Sequence, residues 1–253
     1  MIADQTGMWH NNELRRDCNG SFACHFNSAG ETLYNILKKA GWYKIFKQAW
    51  CFFTRLFVYL SHLTFKFADM IYQFLATGFE DIEALAPLDI IRRAGLEITT
   101  VSITGDKTVY SAHGVGVVAD ALLEEVDLSG ADMLVLPGGL PGSTNLDKCE
   151  PLRQAILKHH AEGKPLAAIC AAPMVYGHLC ILEGVKVTCY PGVQGELKGA
   201  EYTAEIVTVD GQFITGRGPA AAMEFGYTIA EYFLGKDAVA PLREGMIYNQ
   251  LLG

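Results

Sequence analysis

From Ile71 onward, short apolar runs alternate with longer amphipathic segments, and this alternation restricts the possible folds more than any other feature of the chain. Runs such as Met133–Leu136 are apolar at every position and too short for helices, which is typical of strands buried on both faces. Strands that alternate with helices form a mainly parallel sheet that helices cover on both sides. We therefore expect an α/β fold that binds ligands at the carboxyl ends of its strands.

The expected elements span residues 71–234. Strands are predicted at 71–75, 96–103, 114–119, 133–136, 166–169, 185–188, 205–209 and 212–215. Helices are predicted at 80–94, 147–162, 173–179 and 219–234, and the last of them is expected to close the domain. The turn Asp210-Gly211 joins the last two strands as a hairpin.

The composition excludes several classes of protein. Half of the 253 residues are hydrophobic, which is enough for a sizeable core and too much for general disorder. The net charge of -8 argues against a nucleic-acid-binding surface, because phosphates attract clustered Lys and Arg. The seven Cys are irregularly spaced, so we expect an intracellular, cytoplasmic protein without a disulfide framework.

Residues 1–69 differ from the rest of the chain. They carry a net charge of +3 against -11 for residues 70–253, and they hold all three Trp and eight of the thirteen Phe. The alternation of strands and helices begins directly after Met70. We therefore divide the chain into a basic, aromatic-rich extension over 1–69 and a folded domain over 70–253, and we expect Met70 to be the natural start.

Two other interpretations of the extension remain open. Lysines precede an apolar run within 31–67, which is typical of a membrane anchor or an interfacial helix. Side chains that are costly in a bilayer interrupt this run at Arg55, His62 and Lys66. We therefore expect membrane contact only if 31–67 forms an interfacial helix. Candidate zinc ligands are Cys18, Cys24 and His25. No second ligand pair of suitable spacing follows them, and we predict no metal site.

Cys170 is the candidate nucleophile. It ends the predicted strand at 166–169 and opens the predicted helix at 173–179, and the small residues around it suit a tight strand–turn–helix elbow. Because a helix N-terminus lowers the pKa of a thiol, we expect the Cys170 pKa to lie below the free value of about 8.5. The alternative is a buried and inert cysteine. The other cysteines of the domain lack this placement: Cys149, Cys180 and Cys189.

Glu83 is the candidate acid–base group. It lies one turn inside the predicted helix at 80–94, whereas Glu80 and Asp81 stand at its end, where carboxylates suit the helix dipole. Beside a thiolate, burial and like charge would raise the pKa of a carboxyl. Glu83 would then donate a hydrogen bond to the sulfur and act as a general acid or base. The alternative is a third helix-dipole carboxylate.

Backbone and rim groups complete the expected site. The turn Pro137-Gly138-Gly139 follows a strand and lacks the Gly-Lys-Ser/Thr ending of a phosphate-binding loop. We interpret it as an oxyanion-binding turn, with Gly138 and Gly139 as donors, or else as a plain turn. His113 and Arg217 are candidates for the rim of the same pocket, although either residue alone is more often a surface or packing residue.

Four motifs, in order and spacing over about residues 70–250, resemble the ThiJ/PfpI superfamily. The motifs are FLATGFEDIEA (74–84), LPGG (136–139), AICAAP (168–173) and GRGP (216–219). The nearest branch is that of the Parkinson disease-associated protein deglycase and its bacterial relatives. The resemblance implies a flavodoxin-like three-layer sandwich with a mainly parallel sheet, similar to class I glutamine amidotransferases, and it implies a homodimer.

The resemblance also implies roles for single residues. Cys170 matches the nucleophilic, oxidation-sensitive cysteine of the family, and Glu83 matches its partner carboxylic acid. Gly139 and Ala171 match the residues whose amides form the oxyanion pocket.

At the pocket rim the resemblance is looser. His113 aligns with a position that is Arg in some relatives, and Arg217 aligns with a rim arginine near the dimer contact. Some relatives carry a His where this chain has Tyr190. We therefore expect Glu83, rather than a histidine, to move protons.

The activities implied by the resemblance are glyoxalase chemistry and the deglycation of early glyoxal adducts. We predict a cysteine enzyme without a cofactor that acts on a small reactive aldehyde or a glycated adduct. The alternative is a redox-sensing or chaperone dimer that serves oxidative stress with little turnover. Two related classes are disfavoured, because family peptidases usually have His where this chain has Ala171 and because no downstream His–Glu pair of a glutamine amidotransferase is evident.

Overall fold

The computed structural model describes residues 70–251 together with two short antiparallel strands, Ile2–Ala3 and Trp9–His10. The chain divides into two compact units, Met1–Lys66 and Phe67–Gly253. The interfacial helix predicted within 31–67 and the candidate zinc ligands of the extension lie outside the described residues. Among the helices that are described, none has the length and apolar character needed to cross a bilayer.

The elements of residues 70–251 are labelled here in chain order. The strands are β1 (Met70–Leu75), β2 (Glu97–Ser102), β3 (Thr108–Tyr110), β4 (Gly116–Val118), β5 (Ala121–Leu122), β6 (Met133–Leu136), β7 (Leu166–Ile169), β8 (Lys186–Val187), β9 (Glu201–Tyr202), β10 (Val207–Asp210) and β11 (Phe213–Gly216). The α-helices are α1 (Asp81–Arg93), α2 (Gly142–Lys148), α3 (Glu150–Ala161), α4 (Pro173–His178), α5 (Ala222–Leu234) and α6 (Lys236–Gly245). Short 3-10 helices lie at Leu123–Glu125, Leu128–Gly130, Gln194–Glu196, Pro219–Ala221 and Tyr248–Leu251.

Seven of these strands form one sheet, in the order β10-β11-β7-β6-β1-β2-β5. Neighbouring strands run parallel, except that β10 lies antiparallel to β11 across the predicted hairpin. In the central strand, Ile71 pairs with Ile98 of β2 on one side and with Met133 of β6 on the other. After β1 the chain adds β2 on one side of this strand and later adds β6 on the other side. The carboxyl end of β1 is therefore the switch point where such sheets bind ligands.

Alternate residues of the strands point into two separate cores. Ile71 lies in the core that contains Ile90 of α1 and Phe225 of α5. Phe74 points the other way, into the core that contains Ile156 of α3. Helices therefore cover both faces of the mainly parallel sheet, and the predicted flavodoxin-like three-layer sandwich is confirmed.

The prediction of one helix over 147–162 is wrong. Two helices, α2 and α3, occupy this region and meet at Cys149, whose backbone is extended (φ -80°, ψ 95°). Pro151 accounts for the break, because it has no N–H to donate to the Asp147 carbonyl in a continuous helix and is well suited to the first turn of a new one. The amphipathic pattern continues through the break, so the pattern alone does not show that the helix is interrupted.

Three other elements also differ from prediction. The strand expected at 185–188 is reduced to β8, which pairs with β9 outside the main sheet. The strand expected at 114–119 pairs as β4 with β3, which the sequence did not indicate. The helix expected to close the domain is followed by α6, because Gly235 (φ +81°) ends α5 and the chain turns into a further helix that contains Pro241.

Candidate active site

Three loops meet at the carboxyl edge of the sheet, after β1, β6 and β7. The Glu80 N–H donates to the Gly138 carbonyl at 3.0 Å, and the Gly142 N–H donates to the Gly78 carbonyl at 3.1 Å. Gly78 has φ +87°, and a Cβ atom there would lie 2.5 Å from Cδ of Pro141. The loops after β1 and β6 are therefore joined backbone to backbone, with no room for a side chain between them.

Cys170 occupies the elbow between β7 and α4. Its φ of +65° lies in the left-handed region, which costs a residue other than glycine on the order of 1 kcal/mol. Two backbone hydrogen bonds of 2.8 Å hold this conformation, one from the Cys170 N–H to the Gly216 carbonyl and one from the Tyr190 N–H to the Cys170 carbonyl. The residue is 7% exposed, so its thiol is nearly enclosed. Strain that is held in place by neighbouring backbone is common at functional sites.

Glu83 points inward from the first turn of α1. Glu80 is the N-cap of this helix, and its carboxylate accepts from the Glu83 N–H at 2.8 Å. A helix that starts at this point turns position 83 away from solvent, and the Glu83 side chain is completely buried. The structure thus separates Glu83 from its two acidic neighbours, which remain partly exposed.

Glu83 and Cys170 meet on one side of Gly138. A Cβ atom on Gly138 would stand 2.4 Å from Oε2 of Glu83 and 2.6 Å from Cβ of Cys170. Neither oxygen of the Glu83 carboxyl has a fully formed hydrogen bond. The polar groups nearest to that carboxyl are the Cys170 thiol and the backbone of Gly138. A glycine at position 138 is therefore what allows an acid and a thiol to approach each other here.

Burial controls the protonation of both groups. It is the main reason that the pKa of Glu83 rises to about 7, and the charge of Glu80 adds to this effect. Burial also raises the pKa of the Cys170 thiol, and a negative charge on Glu83 raises it further. The expectation that the helix N-terminus lowers this pKa is therefore wrong beside an ionised Glu83, because desolvation and like charge outweigh the backbone donors.

The two groups consequently titrate as a pair. When Glu83 is protonated, its charge no longer opposes a thiolate, and its O–H can donate a hydrogen bond to the sulfur. Loss of one proton from the pair leaves a single negative charge, which the sulfur or the carboxyl can carry. Near neutral pH, a thiolate at Cys170 thus requires a neutral acid at Glu83.

Backbone amides face the sulfur as the oxyanion hypothesis requires. The N–H groups of Gly139 and Ala171 lie against the Cys170 thiol and lower its pKa. Gly139 has φ +89°, and a Cβ atom there would lie 2.4 Å from the Glu80 backbone nitrogen. The Gly138 amide is turned toward the Glu83 carboxyl instead. Gly138 therefore supports the acid, whereas the sequence had grouped it with the oxyanion donors.

His113 forms an ion pair at the exposed start of α1. Its Nδ1 lies 2.6 Å from Oδ2 of Asp81, and this hydrogen bond raises the pKa of His113. Within residues 70–251, Glu80, Asp81 and His113 are the one group whose ligand atoms lie close enough to hold a metal ion, within 4.8 Å of one another. Asp81 and His113 pair with each other here, while the Glu80 carboxylate accepts from the Glu83 N–H.

Arg217 is held by the loop before β10. Its guanidinium donates to the Ala204 carbonyl, and its backbone N–H donates to the Ile206 carbonyl at 2.9 Å. The positive charge lowers the pKa of Cys189, although burial dominates and raises that pKa to about 11. The structure thus connects Arg217 with Cys189 and gives no direct contact between Arg217 and Cys170.

Residues 69–232 match the DJ-1/PfpI family. The chain belongs to this family. The Arabidopsis thaliana protein DJ-1 homolog B is 40% identical over 165 residues, which are 64% of this chain and 38% of the relative. The chain thus spans less than half the length of that relative. A deglycase of Pyrococcus horikoshii is 34% identical over 148 residues, which are 57% of this chain and 87% of that protein.

A solved structure of a family member agrees with the fold. The structure of Toxoplasma gondii DJ-1 in its oxidised form has a TM-score of 0.69 and 30% identity, and the match covers 71% of this chain and 98% of that chain. The resemblance drawn from the four motifs is therefore confirmed at the level of the DJ-1/PfpI family and its fold.

Two features of this DJ-1/PfpI site differ from what the sequence predicts. The sequence predicts Glu80 as a helix-dipole carboxylate; in the structure its side chain caps α1 and its N–H donates to the Gly138 carbonyl. Tyr190 stands where some relatives have His, and its backbone N–H donates to the Cys170 carbonyl. The acidic residue three positions before Glu83 is a signal for an N-cap, whereas the backbone contact of Tyr190 has no sequence signal.

Proposed function

We propose that the chain is a cofactor-free cysteine enzyme of the glyoxalase or deglycase type, with Cys170 as nucleophile and Glu83 as acid–base group. The observation that carries this proposal is the approach of a buried, otherwise unpaired carboxyl to an enclosed thiol beside Gly138. A carboxyl with a pKa of about 7 can hold and release a proton near neutral pH. The name of the P. horikoshii relative supports the same class of activity.

The reaction with methylglyoxal would begin at the aldehyde carbon. The Cys170 thiolate forms a carbon–sulfur bond, and the π-electron pair of the aldehyde moves to its oxygen. The amides of Gly139 and Ala171 donate to this oxyanion, and Glu83 then gives it a proton. The product of this half-reaction is a hemithioacetal, and Glu83 is left as a carboxylate.

The second half of the reaction is an internal transfer of hydrogen. The Glu83 carboxylate removes the proton from the former aldehyde carbon, and the electron pair of that bond forms a carbon–carbon double bond as the ketone oxygen becomes an enolate oxygen. Glu83 then returns the proton to the neighbouring carbon, and the hydroxyl proton of the first carbon passes to the enolate oxygen. This gives a thioester of lactate on Cys170, which water hydrolyses to lactate and the free thiol. For a glycated amine, the carbon–nitrogen bond breaks as the carbon–sulfur bond forms, and the amine leaves with the proton of Glu83. One water is consumed, and no redox or metal cofactor is needed.

The rim and the domain division belong to the same proposal. We assign His113 and Arg217 to the rim that admits the aldehyde or the adduct. We assign the chemistry to residues 70–253 and treat residues 1–69 as a separate extension. In this chain Tyr190 stands where a histidine could shuttle protons, so Glu83 carries both proton steps.

The test is lactate formation from methylglyoxal by the full chain. We expect Cys170→Ala to abolish it and Glu83→Gln to slow it by on the order of a hundredfold or more, because the amide cannot exchange a proton. Cys149→Ser is the matched control, because this half-buried thiol lies at the junction of α2 and α3 and takes no part in the mechanism. Equal lactate formation by the native chain and both site variants would overturn the proposal.

A redox sensor is the second candidate function, because the site would stabilise an oxidised cysteine and because the T. gondii relative was solved in an oxidised form. The Cys170 thiolate would attack a peroxide, with a sulfur–oxygen bond forming as the oxygen–oxygen bond breaks, and a second peroxide would give the sulfinic acid. The Glu83 O–H would then donate to a sulfinate oxygen. Peptide masses after limited peroxide decide this point: addition of two oxygens at Cys170, without lactate formation, favours the sensor.

We propose that the chain forms a homodimer in the cytoplasm. Apolar side chains are exposed on α1 and on the β3–β4 hairpin, at Ile82, Leu85, Tyr110, Val115 and Val118. The Ala112 N–H donates to the Phe79 carbonyl, which fastens this hairpin to the start of α1. An exposed apolar surface of this kind favours a protein contact. Sedimentation at two concentrations should give twice the chain mass, and cell fractionation should recover the chain with soluble proteins.

A further inference from the structure

The imidazole of His178 bridges two carboxylates at the end of α4. Its Nδ1 lies 2.8 Å from Oδ2 of Asp147 in α2, and its Nε2 lies 2.8 Å from Oε2 of Glu196 in the 3-10 helix. Both carboxylates can only accept, so both ring nitrogens must donate, and only the imidazolium has two N–H groups. The bridge thus requires the charged form of His178.

The charged groups around His178 belong to α2, α3 and the 3-10 helix at Gln194–Glu196. Asp147 also accepts from the guanidinium of Arg153 in α3, and Arg153 lies 3.6 Å from Glu150 of the same helix. The His178 side chain is 24% exposed, so the bridge is only partly screened by solvent. The hydrogen bonds to Glu196 and Asp147 raise the pKa of His178 above its ordinary value. The geometry of the bridge and these hydrogen bonds both favour the imidazolium.

The segment 190–197 connects this bridge to the active site. A chain of turns runs along it, in which the Val193 N–H donates to the Tyr190 carbonyl at 3.0 Å and the Glu196 N–H donates to the Val193 carbonyl at 2.9 Å. At its far end, the Glu196 backbone packs so closely on α4 that a Cβ atom on Gly177 would collide with the Glu196 carbonyl oxygen. At its near end, the Tyr190 N–H holds the Cys170 carbonyl.

We propose that His178 is a positioning residue, whose imidazolium fastens segment 190–197 to α4 and thereby holds Cys170 in its left-handed conformation. When His178 loses its proton, one of the two hydrogen bonds is lost, and the segment is then held by fewer contacts. Cys170 is consequently held less firmly against the amides that stabilise its thiolate. This inference rests on Cys170 as the reactive group of the proposed function, but not on the identity of the substrate.

The test is the rate of iodoacetamide alkylation at Cys170, measured by peptide mass between pH 6 and 10 in the full chain. His178→Arg keeps a permanent charge with several donors, and His178→Gln removes the charge. The ratio of native to His178→Arg rates isolates the titration of His178, because every other group is shared. We expect a ratio of about one at acidic pH and a fall of about threefold to tenfold as pH rises. His178→Gln should be slow at every pH.

Two further variants make the result decisive. Glu196→Gln removes the charge from the segment side, where the side chain is half exposed, and should slow alkylation as His178→Gln does. Glu150→Gln is the matched control, because Glu150 belongs to the same charged cluster without touching His178. Each of three results would overturn the proposal. The first is a ratio of native to His178→Arg rates that does not change with pH; the others are a His178→Gln rate equal to that of the native chain and a His178→Gln rate above it. If the alkylation rates follow the expected pattern but the native chain forms no lactate, the proposed reaction is wrong and the role of His178 stands.

Discussion

The carboxyl of Glu83 and the side chain of Cys170 meet on one side of Gly138, around the space that a Cβ atom there would fill, and each shifts the pKa of the other. This relationship makes the protonation of one group depend on that of the other. It also explains why backbone hydrogen bonds join the loops after β1 and β6 and separately fix Cys170 to Gly216 and Tyr190, since a small shift of either part would separate the pair. Both the reactivity of the thiol and the stability of the folded chain should therefore depend on this arrangement.

Gly138→Ala should disrupt the site. The added Cβ would lie 2.4 Å from Oε2 of Glu83 and 2.6 Å from Cβ of Cys170, so one of them must move. We expect a loss of about 1–3 kcal/mol in the free energy of unfolding and a fall in Cys170-dependent turnover on the order of a hundredfold. Urea unfolding and the lactate assay measure the two effects. Gly130→Ala is the control, because nothing lies within 4 Å of its Cβ position. If Gly138→Ala has the same unfolding free energy and the same turnover as Gly130→Ala, the geometry is contradicted.

Glu83 should make the native state less stable as pH rises. Its pKa is about 7 in the folded chain against an ordinary value of 4.5, so between these values the folded state binds more protons than the unfolded state. The stability contributed by the protonated acid is complete below about pH 4.5 and is lost as pH rises through 7. The loss should reach roughly 3 kcal/mol. It is measured as the difference in unfolding free energy between the native chain and Glu83→Gln at a series of pH values, and a constant difference would refute it.

His159 should have the opposite effect. Its side chain is buried, its Nε2 has no hydrogen-bond partner, and burial lowers its pKa to about 4 from an ordinary 6.5. Between pH 4 and 6.5 the unfolded state therefore binds more protons than the folded state. The stability contributed by neutral His159 is fully present above pH 6.5 and is lost as pH falls toward 4. We expect the native chain to lose up to about 3 kcal/mol more than His159→Gln over this range. If the unfolding free energy falls by the same amount in both proteins between pH 7 and pH 4.5, this prediction is wrong.

Much of the fold could be predicted from the sequence, because buried parallel strands leave a strong pattern. The strands Met133–Leu136 and Leu166–Ile169 match their predicted bounds, since each is wholly apolar and ends in a turn. The pattern does not reveal where one amphipathic helix becomes two, or that β8 pairs outside the main sheet, because these depend on a single proline and on interactions between distant residues.

The residues of the candidate site were also visible in the sequence, but their electrostatics were not. Cys170 stands at an elbow whose small residues and following helix are local signals. The sign of its pKa shift depends on burial and on a carboxyl 87 positions earlier in the chain, and no local pattern reports either. The bridge from His178 to Asp147 and Glu196 is likewise formed by three elements that only the folded chain brings together.

The most direct test of the shared proton is the pH profile of Cys170 alkylation in the native chain and in Glu83→Gln. If the thiol and the acid share a proton, the native rate rises in two steps, the first near pH 7 as the pair loses its first proton and the second at much higher pH as it loses the other. Glu83→Gln has no second proton to lose and should show one step, below the upper step of the native chain. One step at the same pH in both proteins would show that Cys170 titrates without regard to Glu83, and would contradict the pairing of the two groups.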